Sequence, residues 1–293
     1  MPDTVIFGDS MRQPAVRHEV PVAIHDPFLF VETVDRRVVV ATTPELERLA
    51  ALSGIEVHTI EEYGLATLFR AGVRGHEAIH EAYASAVQEL GVTAAIVPDT
   101  TPMEFGERLR RRGISLTVDR DYFVARRRLK SDVELAGIRR AQGAAEAGMR
   151  TAVDMLHDRH RWPLTSGEVK TSIARVFADH GCVGETFVVS HGPQSANGHE
   201  RGSGAFSLSE PILIDLGPRD IESGCFADMT RTFVCGEPPS ELVEWYEIVL
   251  RVLRAATVEA GPGVAGRALY DLTCDIFEQN GYETNRSAGP GSG

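Results

Sequence analysis

Ile212-Leu213-Ile214-Asp215-Leu216-Gly217, followed by Ala227-Asp228-Met229-Thr230-Arg231-Thr232-Phe233, is the stretch that decides how this chain is read. Each half is a run of apolar and β-branched residues of strand length, and the segment between them is rich in turn formers. A hairpin built from the two runs brings Asp215 and Asp228 together inside a half-buried sheet. Two carboxylates held that way repel each other. Low-dielectric surroundings tolerate them when protons or cations neutralise the charge, so a divalent cation, or a pair of them, is the economical partner. Carboxylate oxygens suit Mn, Mg or Zn, and adjoining imidazole tilts the choice towards transition metals. On spacing alone a plainer reading stays open, with Asp215 as a turn former at a strand end and Asp228 paired with Arg231.

Working outward, Thr186-Phe187-Val188-Val189 predicts a strand that leads into a turn-rich stretch from Gly192 to Gly204. Two capping boxes precede it. Ser131-x-x-Glu134 opens a helix with Leu135, Ile138, Ala141, Ala145, Met149, Ala152 and Leu156 on its apolar side, and Thr165-x-x-Glu168 opens another through Val169, Ile173 and Phe177. Beyond the aspartates, helices are expected over Ser240 to Ala260 and Val264 to Asn280, and the small polar residues from Arg286 to Gly293 read as a loop. Helices, antiparallel-type strands and helices in that order describe an α+β domain.

Nearer the N-terminus, short strands at Val5 to Phe7, Phe28 to Val31, Val38 to Val40 and Ala94 to Val97 alternate with helical spacing over Pro44 to Leu52, Glu77 to Leu90 and Pro102 to Arg112. That is a small α/β domain. The basic run Arg126-Arg127-Arg128-Leu129-Lys130 reads as a solvated linker face, which divides the chain into 1–126 and 127–293.

A net charge of -12 and a hydrophobic fraction of 43% describe a globular chain with no global attraction for phosphate backbones, so nucleic acid is not an expected partner. No apolar run reaches the roughly 18 residues a membrane span needs. Met1-Pro2-Asp3-Thr4 has no basic region followed by an apolar one, and Cys182, Cys225, Cys235 and Cys274 are too scattered for a disulfide scaffold. A cytoplasmic protein with reduced thiols and no membrane partner is the expectation.

Asp-Leu-Gly followed by Asp-Met-Thr-Arg-Thr-Phe resembles the metal-binding signature of the pita-bread metallopeptidases, the family of aminopeptidase P, prolidase and methionine aminopeptidase. Val189-Ser190-His191-Gly192 through Gly198-His199 resembles that family's strand and loop with a catalytic histidine, and Gly261-Pro262-Gly263-Val264 resembles the segment before its third metal ligand. The likeness runs from about Arg126 to Tyr282; the residues before it are compatible with a creatinase-like N-terminal domain. It implies a creatinase-like α/β domain over 1–126 and a pita-bread α+β catalytic domain over 127–293 that stops before the third metal ligand.

By position, the resemblance makes Asp215 a ligand of one metal, Asp228 a bridge between two, and His199 the donor to the substrate carbonyl or tetrahedral intermediate. It implies two divalent ions, with Mn ahead of Co, Zn or Fe, and attack of a metal-held hydroxide on the scissile carbonyl. The implied activity removes the N-terminal residue from peptides with proline second, in the manner of aminopeptidase P or prolidase, by a homodimer. The aspartate spacing is two residues longer than the family's usual one, which places extra hairpin length at Arg219 to Gly224. The family's H-G-x-G-H histidine and two later glutamates have no match, so the chain by itself is expected to be inactive. A non-catalytic pita-bread binding protein is the alternative.

Two further motifs compete. His76-Glu77-Ala78-Ile79-His80 matches the H-E-x-x-H of zinc proteases, but it falls in the first turn of a helix whose buried side is Ile79, Tyr83, Ala86 and Leu90, where solvated histidines are expected. Gly8-Asp9-Ser10 echoes a serine-esterase block without its companion blocks, and Ser10 reads as a turn residue. His191, directly after its strand, is assigned to turn or packing.

Overall fold

The four apolar runs near the N-terminus form the interior of one six-stranded sheet. In the computed structural model, which describes residues 3–286, the sheet has the order β4-β3-β2-β1-β5-β6. Its strands are β1 (Asp3–Gly8), β2 (Phe28–Glu32), β3 (Arg37–Ala41), β4 (Glu56–Thr59), β5 (Ala94–Val97) and β6 (Ser115–Val118). β1, β2 and β3 pair antiparallel, whereas β4, β5 and β6 join in parallel. One face packs Val5, Phe7, Leu29, Val31, Val38 and Val40 against Ala78, Ala82, Tyr83 and Phe105. The other packs Ile6, Phe28, Phe30 and Val39 with Val16, Leu49 and Phe123. Burial on both faces explains why these strands are continuous apolar runs.

The helices of this layer are α1 (Pro14–Glu19), α2 (Leu46–Ala50), α3 (Leu65–Arg70), α4 (Gly75–Glu89), α5 (Met103–Arg111) and α6 (Arg120–Arg128). The helix expected over Pro44 to Leu52 is split into a 3-10 turn at Thr43–Glu45 and the short α2. The basic run is a solvated linker only in its second half, where Arg128, Leu129 and Lys130 are exposed. Arg126, Arg127 and Arg128 form the last turn of α6, opened by the Asp119 side chain capping Tyr122 N. Arg126 lies between Glu19 and Glu32, 2.7 Å from each, with its guanidinium over the Tyr122 ring. Cations at a helix C-terminus are favoured by the helix dipole, and this one is also neutralised by partners remote in sequence.

Both capping boxes form as expected. Ser131 N donates to Glu134 Oε2 at 2.8 Å and Thr165 N to Glu168 Oε2 at 2.9 Å. They open α7 (Asp132–His157) and α8 (Ser166–Asp179). On α7 the buried stripe includes Ala141, Ala145, Met149, Ala152 and Leu156, while Leu135 in the first turn is exposed, contrary to expectation. The stripe is made of small residues because neighbours come close. A Cβ at Gly148 would stand 3.0 Å from Phe177 and 3.6 Å from Leu216.

Three more strands, β7 (Cys182–His191), β8 (Pro211–Asp220) and β9 (Met229–Val234), form a second sheet in that order. The chain then closes with α9 (Ser240–Glu259) and α10 (Gly266–Gln279). The loop expected over Arg286 to Gly293 lies, from residue 287, outside the described residues. Two compact units result, one of Met1–Asp154, Val169–Phe187 and Asp215–Thr230, the other of Met155–Glu168, Val188–Ile214 and Arg231–Gly293. The four cysteines form no disulfide, and three of them are buried. Among the described residues no helix is long and apolar enough to cross a membrane.

Candidate metal centre

Strict alternation along β8 builds the site. Ile212, Ile214 and Leu216 are fully buried, so Asp215, Gly217 and Arg219 occupy the opposite, half-open face. Asp215 is therefore not a strand-end turn residue, because β8 continues to Asp220. The chain reverses at Ile221–Gly224, within the segment where extra hairpin length was expected, and Gly224 N–H donates to Asp220 O at 2.9 Å.

The returning strand fixes the register. Arg219 faces Phe226 in an antiparallel bridge, flanked by Ala227 N–H to Pro218 O at 3.1 Å and Asp220 N–H to Cys225 O at 2.8 Å. Counting along both strands from that pair sets Gly217 opposite Asp228 and Asp215 opposite Thr230. The Thr230 hydroxyl agrees, donating to Asp215 Oδ1 at 2.6 Å. Pro218 has no N–H to return to Ala227, which opens the ladder beside Asp228.

Phe226, Asp228 and Thr230 are exposed, Met229 is half-buried and Ala227 is buried, so the two aspartates share one face of the hairpin as diagonal neighbours. Diagonal positions stand roughly 7–8 Å apart at Cα, and less at Cβ, within reach of a shared ion. Among the described residues no cationic side chain pairs with either aspartate; Arg219, on the same face of β8 as Asp215, is paired with Glu185 at 2.7 Å. In kind, two carboxylates fit a divalent cation. In number the set is incomplete, because among the described residues no three His, Cys, Asp or Glu side chains are grouped to hold an ion.

Thr230 was overlooked in the sequence. The signal was present, since a residue two positions after Asp228 in a strand must share its face.

His199 lies in the second unit, in an exposed turn after the 3-10 segment Gly192–Ala196. That unit folds its loop back tightly. Val189 N–H donates to Arg201 O at 3.1 Å, and Gly202 comes so close that a Cβ there would stand 2.0 Å from Val189 O. His191 packs edge-on against Phe206 at 5.3 Å, with Nε2 3.0 Å from Ser203 O, which is a packing role.

The competing motifs are occupied otherwise. His80 is not solvated; its ring stands edge-on to Phe7 at 5.1 Å, and burial lowers its pKa, leaving a neutral imidazole at neutral pH. Glu104, beside both His76 and His80, is held by Arg108 at 3.1 Å. Ser10 is buried and accepts from Ile24 N–H at 2.8 Å, a turn residue as expected.

The family model for metallopeptidase family M24 matches residues 136–293, more than half of the chain. The chain belongs to metallopeptidase family M24. An uncharacterized peptidase of Staphylococcus aureus strain MSSA476 is 30% identical over 159 residues, and the match spans 44% of that relative's length and 53% of this chain. The fold is shared with solved M24 enzymes. The Xaa-Pro dipeptidase from Bacillus anthracis superposes with a TM-score of 0.78 at 19% identity, covering 96% of this chain and 74% of that one. The X-Pro aminopeptidase from Thermotoga maritima MSB8 gives 0.76 at 18% identity, covering 95% and 76%. The fold is therefore an α/β N-terminal part followed by pita-bread elements, and the family implies divalent metal ions.

Proposed function

We propose that this chain carries part of the metal centre of a peptidase that removes the N-terminal residue from Xaa-Pro peptides. The reading rests on one observation above all: Asp215 and Asp228 share a face of one hairpin, with no cationic side chain among the described residues to neutralise them.

In this proposal Asp215 and Asp228 hold two divalent ions, Mn ahead of Co, Zn or Fe. The Thr230 hydroxyl fixes the Asp215 carboxylate through Oδ1. Buried Ile214 and Leu216 keep the strand from rotating that carboxylate away. A bound divalent ion supplies Lewis-acid polarisation of the scissile carbonyl and a water acidified towards neutral pH. His199 donates a hydrogen bond to the charge that develops on the substrate oxygen. The proline preference, a homodimer in the cytoplasm and a domain division at 126/127 belong to the same proposal; the Xaa-Pro enzymes among the structural neighbours support the first.

A second reading is a non-catalytic binding protein of the same fold. Incubating the full-length protein that carries this chain with Mn and an Xaa-Pro tripeptide separates the two. Metal-dependent release of the first residue, lost in Asp228→Ala, supports the peptidase. Peptide binding with no turnover at any metal concentration supports the binding protein.

A further inference from the structure

We propose that α1 sets the conformation of the aspartate hairpin, with Arg17 as a positioning residue that acts through the Ile221–Gly224 turn. The metal side of this inference rests on reading Asp215 and Asp228 as ligands. Arg17 is 6% exposed, yet belongs to a helix of only six residues. Its Nη1 donates to Ser10 O at 3.1 Å and its Nη2 to Ile221 O at 3.3 Å, a bond spanning 204 positions of sequence. The two terminal nitrogens of this buried guanidinium both donate while Nε has no partner, so the Nη2 bond to the hairpin turn is one of the few interactions that offset its burial.

The same turn is held from three other directions. Arg140 on α7 binds Asp220 with two parallel bonds of 2.8 and 2.9 Å, and Asp220 Oδ2 also accepts Ser223 N–H at 2.7 Å. Ile221 N–H donates to Gly181 O at 3.1 Å, and Arg219 pairs with Glu185 across β7 and β8. Gly137 leaves room for the turn on α7, since a Cβ there would lie 1.7 Å from Ser223 Oγ. His18, the residue after Arg17, bonds both oxygens of Glu134 at 3.1 Å and so ties α1 to the first turn of α7. α1 therefore touches the turn directly and also touches the helix that clamps it.

From this anchor, paired strand runs back through Asp215 and Asp228. A functional site tolerates displacement of about 0.5 Å, so a hairpin free to tilt at its turn would misplace both carboxylates together. The structure thus gives the N-terminal layer a part in shaping the metal centre.

Hydrogen exchange and Mn titration of the intact protein, wild type against Arg17→Met and Arg17→Lys, test the inference. Met keeps the buried stem and removes the donors; Lys keeps the charge and restores part of the grip. The expected result is at least tenfold faster exchange at Ala227 to Thr230 in Arg17→Met, unchanged exchange at Val5 to Phe7 and Val38 to Val40, about tenfold weaker Mn binding, and partial recovery in Arg17→Lys. Unchanged hairpin exchange overturns the inference, as does loosened exchange with undiminished Mn affinity. If Arg17→Met unfolds the sheet, the milder Arg17→Lys carries the same comparison. A wild-type protein that takes up no Mn overturns the metal reading alone, and the exchange data still decide the anchor.

Discussion

The two ends of the β8–β9 hairpin treat acidic residues in opposite ways. At the turn, Asp220 is 1% exposed and its charge is met by Arg140, while Glu185 meets Arg219. Four residues past the turn, Asp228 has no cationic partner among the described residues, and five residues before it Asp215 has a single hydroxyl from Thr230. The acids around the H-E-x-x-H motif follow the rule of the turn, with Glu77 of the motif and Glu104 of α5 both beside Arg108. At the turn the structural carboxylates are met by guanidinium groups; the two aspartates further along share a face without one, which is the arrangement the proposed cation site uses.

The strongest way to break that contrast is to remove an acid from each end. In the full-length protein, Asp228→Ala is expected to lower Mn-dependent turnover of Xaa-Pro peptides by about 10³-fold or more, some 4 kcal/mol in the barrier, while the urea midpoint barely moves. His80→Ala should leave turnover in place, and its loss would move the site to the α/β layer. Asp220→Asn should cost roughly 1.5–3 kcal/mol of stability at pH 7, because a buried bidentate pair loses its charge.

The pH dependence follows from signs. Burial would raise the Asp220 carboxyl, but the Arg140 guanidinium and the Ser223 hydroxyl and N–H outweigh it and hold the group below the ordinary carboxylate range. A depressed folded-state pKa contributes stability above the unfolded value of about 3.9, lost as pH falls through the folded one. The gap between wild-type and Asp220→Asn midpoints should therefore narrow from pH 7 towards pH 3. A constant gap would show that the pair does not act through its charge.

Thr230→Val sharpens the comparison at the ligand end. Losing the bond that orients Asp215 should weaken Mn binding about tenfold, the low end for a group that orients a metal ligand. Gly137→Ala gives the smallest effect. Alanine normally gains about 1 kcal/mol over glycine inside a helix, yet overpacking against Ser223 should reverse the sign and leave a net loss near 1 kcal/mol by urea denaturation.

Local signals carried much of this into view. Continuous apolar strands, two capping boxes and the alternation around Asp215 each depend on residues a few positions apart. β4 and β6 escaped notice because they are the edge strands, and β6 reads Ser-Leu-Thr-Val with three of its four residues exposed. Arg126 was misjudged because its partner Glu19 is 107 positions away, and no local pattern separates a buried arginine from a solvated one. The turn clamp was hidden for the same reason: Arg140 and Asp220 are 80 positions apart. The proposed metal face was legible as a pair of acids, and its shared orientation required the register that Arg219 and Phe226 supply.

Calorimetric titration of Mn into the wild-type protein and its Asp215→Asn and Asp228→Asn variants is the most direct test. Cooperation of the two carboxylates predicts binding in the wild type and its loss in each single variant alike. Binding that survives either substitution undiminished would mean that the two side chains do not hold a common site.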